Sequence, residues 1–271
     1  HWLAEEYAHQ PVRILSNRRK KGPAGARNTG MLAAKGDFIA LLDSDDRFLP
    51  GHLAECQQVF SDFPEVDVIF GRALYEQDGK SVDYMGPNFD RKLNYAQAID
   101  NAAGVRVFSD SFFNHLLQYG CYFNLSTVVL RATVAKELMN EELRIAEDYE
   151  YWVRVSRSNR FACLERPQVL YMLHSDNISF EQADNAPSLL AAYEIMLTYP
   201  TLDKRQKRLI KNNVADVLFS WGYRCRKRWQ LCEACHLHLR SLRFGKYREN
   251  VIALLKIALL SVFPRLEGQG H

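Results

Sequence analysis

Apolar and polar positions alternate with two distinct periods along the chain, and the change of period sketches the fold. Trp2 to His9 reads as the end of a helix, and Val12 to Leu15 as a short apolar strand. From Pro23 to Lys35, residues Ala26, Met31, Leu32 and Ala33 recur at helical spacing, punctuated by Gly22 before and Gly36 after. Phe38 to Leu42 is a continuous apolar run entering Asp43, the pattern of a strand buried on both faces. Leu53 to Phe63 is helical again, and Val66 to Phe70 is another strand. This strand–helix rhythm predicts a mostly parallel, Rossmann-like sheet with crossover helices.

Between Arg72 and Asp110 the rhythm is lost. Gly79, Gly86, Pro87 and Gly104 interrupt it, so a long irregular binding segment is expected there. Order returns with a strand over Asn124 to Arg131, a helix over Thr133 to Met139, a helix starting near Glu147, and strands over Phe161 to Leu164 and Val169 to Leu173. Beyond about Asn185 only helices are expected, with Leu209, Ile210, Val214, Val217, Leu218 and Trp221 on one apolar stripe. The expected organisation is an α/β domain over residues 1–184 and a helical region over residues 185–271, without internal repeats.

Composition narrows the class. With 271 residues, 47% of them hydrophobic and 25% charged, the chain is globular and long enough for one substantial core plus a smaller unit. The net charge of +3 hides an asymmetry. Pro200 to His271 carries 15 Lys and Arg against 5 Asp and Glu, whereas the remainder carries 20 against 27. The two regions are therefore expected to meet different partners. The spacing of Cys56, Cys121, Cys163, Cys225, Cys232 and Cys235 shows no disulfide framework, which points to a reducing, cytoplasmic setting. No apolar run approaches the roughly 18 residues of a membrane span, and the longest candidate, Val251 to Phe263, contains Lys256. Because the chain opens on His1 rather than Met, the authentic protein is expected to be longer.

Four segments carry candidate chemistry. Asp43-Ser44-Asp45-Asp46 follows an apolar strand, and carboxylates gathered at the end of a sheet strand repel one another unless a divalent cation joins them. The plainer reading is an acidic turn capping the next helix. Gly22 to Gly30 has small residues that let a backbone approach a ligand, with Arg27 able to pair with phosphate; tight packing at a helix start is the other reading. Glu147-Asp148 opens the helix bearing Trp152 and Arg154, where a carboxylate serves either as a general base or as a dipole cap. Finally, Tyr171 to Ser179 delivers His174 into a polar loop, as a ligand or as a structural histidine.

Taken in order and spacing, Arg27-Asn28, Gly30, Ala34, Gly36 through Asp46, Pro50, Glu147-Asp148 with Trp152 and Arg154, and Tyr171 to Ser179 resemble glycosyltransferase family 2. The resemblance covers about residues 12–180. It implies a GT-A fold and an inverting sugar transfer dependent on Mg²⁺ or Mn²⁺. Asp43 and Asp45 match the family's Asp-x-Asp pair, with Asp45 the expected direct metal ligand and His174 completing the metal shell. Arg27, Asn28, Asp43 and Ser44 match the nucleotide-binding set, and Asp148 the catalytic base. The partners so implied are a nucleotide-sugar donor and a glycan or lipid-linked acceptor, in polysaccharide or glycolipid synthesis. The family's opening strands, with their base-reading acidic pair, do not precede Val12 here. Tyr75, Tyr84, Phe89 and Tyr95 are candidates to pack on acceptor sugar rings, or else on the core.

Other signals weigh less. Cys232-Glu233-Ala234-Cys235-His236 resembles a haem-attachment or zinc pattern, yet it falls in a predicted helix. Asn124-Leu125-Ser126 and Asn177-Ile178-Ser179 match a glycosylation acceptor. The basic residues flanking Val251 to Phe263 suit either peripheral contact with the inner membrane face or a solvated bundle surface. Nucleic acid is not expected, since no binding module accompanies the charge. A GT-A-like nucleotidyltransferase and a non-catalytic sugar-nucleotide-binding or scaffold subunit are the alternative function classes.

Overall fold

The computed structural model describes residues 12–82, 85–102, 104–174 and 185–262. The expected helix over Trp2 to His9 lies outside these residues, as do Tyr84 and the loop after His174. The described residues divide into two compact units: one holds those up to His115 together with Cys121 to His174, the other Leu116–Gly120 together with residues 185–262.

In the first unit, helix α1 (Pro23–Ala33) starts on a proline behind Gly22, whose φ of 147° only glycine adopts readily. Strand β1 (Phe38–Ala40) and the two-residue strand β2 (Arg47–Phe48) bracket the acidic turn. Helix α2 (His52–Asp62) is the helix expected after Leu53; it buries His52, Cys56, Val59 and Phe60, whereas Leu53 is exposed. It is followed by β3 (Val66–Gln77) and β4 (Lys80–Val82). Val66, Val68, Ile69 and Phe70 on β3 are wholly buried, so both faces of this central strand are covered. The remaining elements are α3 (Gly86–Asn94), β5 (Ala98–Ala102), β6 (Val105–Phe108), the part of α4 (Phe112–Tyr119) up to His115, β7 (Val129–Arg131), α5 (Glu147–Val155) and β8 (Arg160–Leu173).

The sheet runs β1-β7-β3-β8-β6-β5, with β2 attached to β8 and β4 to β3. The α/β class stands, but the expected mostly parallel sheet does not. Among the described residues β3 and β8 pair in parallel, whereas β1–β7, β3–β7, β6–β8 and β5–β6 are antiparallel. Periodicity reports which faces are buried and carries no sign of strand direction, which pairing alone decides.

Several local expectations are corrected. Val12, Ile14 and Leu15 join no ladder among the described residues and are exposed, because an apolar run becomes a strand only beside a partner. Asn124 to Arg131 splits into a 3₁₀ turn (Leu125–Thr127) and the short β7. The helix over Thr133 to Met139 shrinks to a 3₁₀ turn, Val134–Lys136. The two strands expected near the end of this unit are one strand, β8, continuous through Pro167. The Arg72 to Asp110 segment is not irregular: it completes β3 and forms β4, α3, β5 and β6, with glycines 79 and 104 at the positive-φ positions between strands.

The second unit is helical, with α6 (Ala186–Leu197), α7 (Lys204–Lys227), α8 (Leu231–Leu242) and α9 (Tyr247–Val262). A reciprocal capping box starts α7: Asp203 accepts from the Gln206 N–H at 2.7 Å, and the Asp203 N–H donates back to Gln206 Oε1 at 3.0 Å. Gly222 lets α7 meet α8, since a Cβ there would lie 2.9 Å from His238 Nε2. His238 Nδ1 lies 2.8 Å from Asn250 Oδ1; the Asn250 amide donates to Ser241 Oγ at 2.9 Å, and Ser241 donates to the Ala215 carbonyl at 2.9 Å. This buried polar chain pins three helices in register. No helix among the described residues is long and apolar enough to cross a membrane.

Candidate active site

The acidic turn is built by groups distant in sequence. After β1, the Leu41 N–H donates to the Val128 carbonyl at 3.0 Å, and the turn closes with the Asp46 N–H on the Asp43 carbonyl at 3.1 Å. Ser126 clamps both ends of it: its Oγ accepts from the Asp43 N–H at 3.0 Å and donates to Asp46 Oδ2 at 2.5 Å. The other Asp46 oxygen accepts from the Met172 N–H at 3.3 Å. β2 pairs with β8 through Arg47–Leu170 and Phe48–Val169, which lays the turn along the end of β8. His174, just past β8, thereby meets Asp45, with Nε2 and Oδ2 3.0 Å apart.

Arg27, on α1, joins the turn to α5. One guanidinium nitrogen lies 2.9 Å from Asp43 Oδ1 and the other 2.5 Å from Glu147 Oε1. The helix α5 begins behind Ala146, held at φ 64°, a conformation that costs a non-glycine residue energy and sets the direction in which Glu147 and Asp148 enter the cluster. Burial pushes the Glu147 carboxyl up to about 7, with the Asp148 charge adding to the effect. Burial likewise raises Asp148, against the pull of Arg27 and with a further push from Asp43. Asp46 is raised to about 6 by burial, opposed by its bonds to Ser126 and Met172. These carboxyl groups, bridged in part by Arg27, form an acidic cluster in which burial and like charges raise the affinity of each for protons.

Asp43, Asp45, His174, Arg27 and Asp148 therefore converge, and Ser44 sits exposed on the same turn. Asn28 does not join them. Its side chain is 0% exposed and brackets Met139, donating to its carbonyl at 2.9 Å and accepting from its N–H at 2.8 Å, with a further bond to Glu141 Oε1 at 2.7 Å. One residue along a helix turns a side chain by about 100°, so Arg27 faces the cluster while its neighbour faces the core. Gly25 is also a packing residue: a Cβ there would lie 2.0 Å from the Lys20 carbonyl oxygen.

Two residues escaped the reading of the sequence. Glu147 was legible only as the neighbour of Asp148, and Ser126 lay within a pattern read for glycosylation. No local signal marks Ser126, because its partners are 80 and more residues away. Of the two readings open for the aromatic residues, Tyr75 and Phe89 take the core one. Tyr75 is buried and donates to Asn124 Oδ1 at 2.7 Å; Phe89 is buried beside Phe70 and Tyr122. Tyr95 is exposed.

No group of three or more His, Cys, Asp or Glu side chains among the described residues is poised to hold an ion. Asp45 and His174 offer two donors, which suits Mg²⁺ or Mn²⁺, ions that fill most of their shell with water and ligand phosphate. All six cysteines are free thiols; Cys232 is exposed on α8, and among the described residues no metal-holding group forms around the Cys-x-x-Cys-His segment.

Residues 3–116 match the sequence profile of Glycosyl transferase family 2. An uncharacterized glycosyltransferase of Rickettsia bellii is 28% identical over 165 residues, 60% of this chain and 21% of that protein. The GalNAc(5)-diNAcBac-PP-undecaprenol beta-1,3-glucosyltransferase of Campylobacter jejuni is 24% identical over 192 residues, 70% of this chain and 54% of that protein. The chain thus spans about a fifth of the first and about half of the second. Among solved structures, S. aureus TarS 1-349 in complex with UDP-GlcNAc superposes with a TM-score of 0.60 at 12% identity, covering 96% of this chain and 78% of that one. That superposition establishes the GT-A fold.

Proposed function

We propose that the chain is a glycosyltransferase of family 2, whose profile residues 3–116 match, and that it transfers a sugar, with inversion, from a nucleoside diphosphate donor to a hydroxyl of a glycan or lipid-linked acceptor. The single observation that carries this reading is Arg27 spanning Asp43 and Glu147, which sets the acidic turn across from Asp148. The donor class is supported by the family match and by the UDP-GlcNAc bound in the TarS structure; the acidic turn would meet its diphosphate through a divalent cation. A lipid-linked glycan acceptor is the substrate class named for the Campylobacter relative.

Asp148 takes the proton of the acceptor hydroxyl. The freed oxygen pair bonds to the anomeric carbon from one face, as the bond from that carbon to the diphosphate oxygen breaks on the other. A carboxyl raised by burial is the stronger base once ionised, which suits it to that proton. Asp45 and His174 would hold Mg²⁺ or Mn²⁺, with Asp43 beside them; the bound ion would supply Lewis-acid stabilisation to the diphosphate. Arg27 bridges Asp43 and Glu147 and offsets their mutual repulsion, which fixes the orientation of both carboxyl groups. Positioning of both substrates accounts for much of the acceleration.

The test is release of nucleoside diphosphate from a panel of UDP- and GDP-sugars with an undecaprenyl-diphosphate glycan acceptor. Release should require Mn²⁺ or Mg²⁺, stop with EDTA, and fall with Asp45→Asn. Donor binding without release by the intact full-length protein, across the panel, would leave a sugar-nucleotide-binding subunit and remove the enzyme reading.

A further inference from the structure

The second unit carries a helix that is apolar on two opposite sides. The inner side of α9 presents Asn250, Ala253, Ile257 and Leu260, all buried, with Asn250 tied into the polar chain to α8. Its outer side presents Tyr247, Val251, Leu255 and Leu259 at steps of four residues, with Ile252 beside them, and these are 44–67% exposed. A helix on the surface of a bundle ordinarily turns polar residues outward. Four-residue steps keep side chains on one face, so this is a continuous stripe rather than scattered exposed residues.

Charge selects what covers the stripe. At about 100° per residue, Arg248 projects within roughly 20° of Leu255, inside the stripe, while Lys256 and Glu249 lie about 20° apart on one margin of it. The segment from Pro200 onward holds 15 Lys and Arg against 5 Asp and Glu. Two copies meeting through this face would bring like charges together. A bilayer rich in anionic lipid accepts apolar side chains at the acyl boundary while Arg and Lys reach back to the headgroups.

We propose that the outer face of α9 is a docking surface for an anionic membrane, with Tyr247, Val251, Ile252, Leu255 and Leu259 entering the interface and Arg248 and Lys256 meeting lipid phosphates. This inference does not depend on the transferase chemistry. Co-sedimentation of the 271-residue chain with vesicles tests it, comparing phosphatidylcholine alone with phosphatidylcholine containing about one third phosphatidylglycerol. Binding should favour the anionic vesicles and weaken in 0.5 M salt. It should drop roughly tenfold or more for Leu255→Glu/Leu259→Glu, with circular dichroism unchanged. Arg248→Gln should reduce binding to the anionic vesicles while sparing the weak binding to neutral ones. Equal binding to both vesicle types, or undiminished binding by the double variant, would overturn the proposal. So would a dimer in sedimentation velocity that the double variant dissociates, since a second copy would then own this face.

Discussion

Ser126 and Asp46 are 80 residues apart in the chain and share a 2.5 Å hydrogen bond in the interior. The same hydroxyl oxygen accepts from the Asp43 N–H, so a side chain from the β7 side of the sheet fixes the conformation of the whole acidic turn. Ser126→Ala should leave the buried Asp46 carboxyl short of a donor and cost about 1–3 kcal/mol in stability, read from urea unfolding. Donor KM should rise as well. An unchanged urea midpoint would mean that the turn holds its shape without the clamp.

Asp148→Asn should lower kcat by about 10²–10⁴-fold while donor binding by calorimetry stays nearly constant. A base must be ionised, and burial raises this carboxyl. The rate should therefore fall on the acid side at a pH above the ordinary carboxylate range, in the kcat/KM profile. Equal loss of donor affinity and turnover would mark Asp148 as structural.

Glu147 gives a pH-dependent stability whose sign can be worked out. Its carboxyl rises from 4.5 to about 7, by burial first and by the Asp148 charge second. Between these values the folded chain binds more protons than the unfolded one. The stabilisation is therefore complete below about 4.5 and is lost as pH rises through about 7. In metal-free protein, wild type should lose stability relative to Glu147→Gln across this window. A flat difference would show that Arg27 holds Glu147 ionised throughout.

Gly25 and Gly30 lie on the same helix and should respond oppositely to alanine. A Cβ at Gly25 meets the backbone oxygen of Lys20, which can yield only by moving the 17–20 segment together with the Arg19–Glu141 and Lys20–Glu142 pairs. Gly25→Ala should cost about 1–3 kcal/mol in thermal or urea unfolding. Gly30 has open space around it, and Gly30→Ala should be neutral or stabilising by up to ~1 kcal/mol.

What the sequence determined on its own was the local grammar and the chemistry at stake. The helix behind Pro23, the helix after Leu53 and the carboxylates opening α5 are each written in adjacent residues, because the start and period of a helix depend on neighbours a turn away. The run into Asp43 is a strand for only Phe38–Ala40 and is not buried on both faces, since Leu42 is exposed. What only the tertiary structure decided was pairing across distance. It made the sheet mixed, left Val12 to Leu15 out of any ladder among the described residues, and formed strands and a helix in the described part of the Arg72 to Asp110 segment. It turned Asn28 inward while Arg27 reached Asp43 and Glu147, and it brought Ser126 to Asp46. A hydrogen bond or a strand partner 80 to 120 residues away leaves no periodicity behind; it exists only once the sheet has closed.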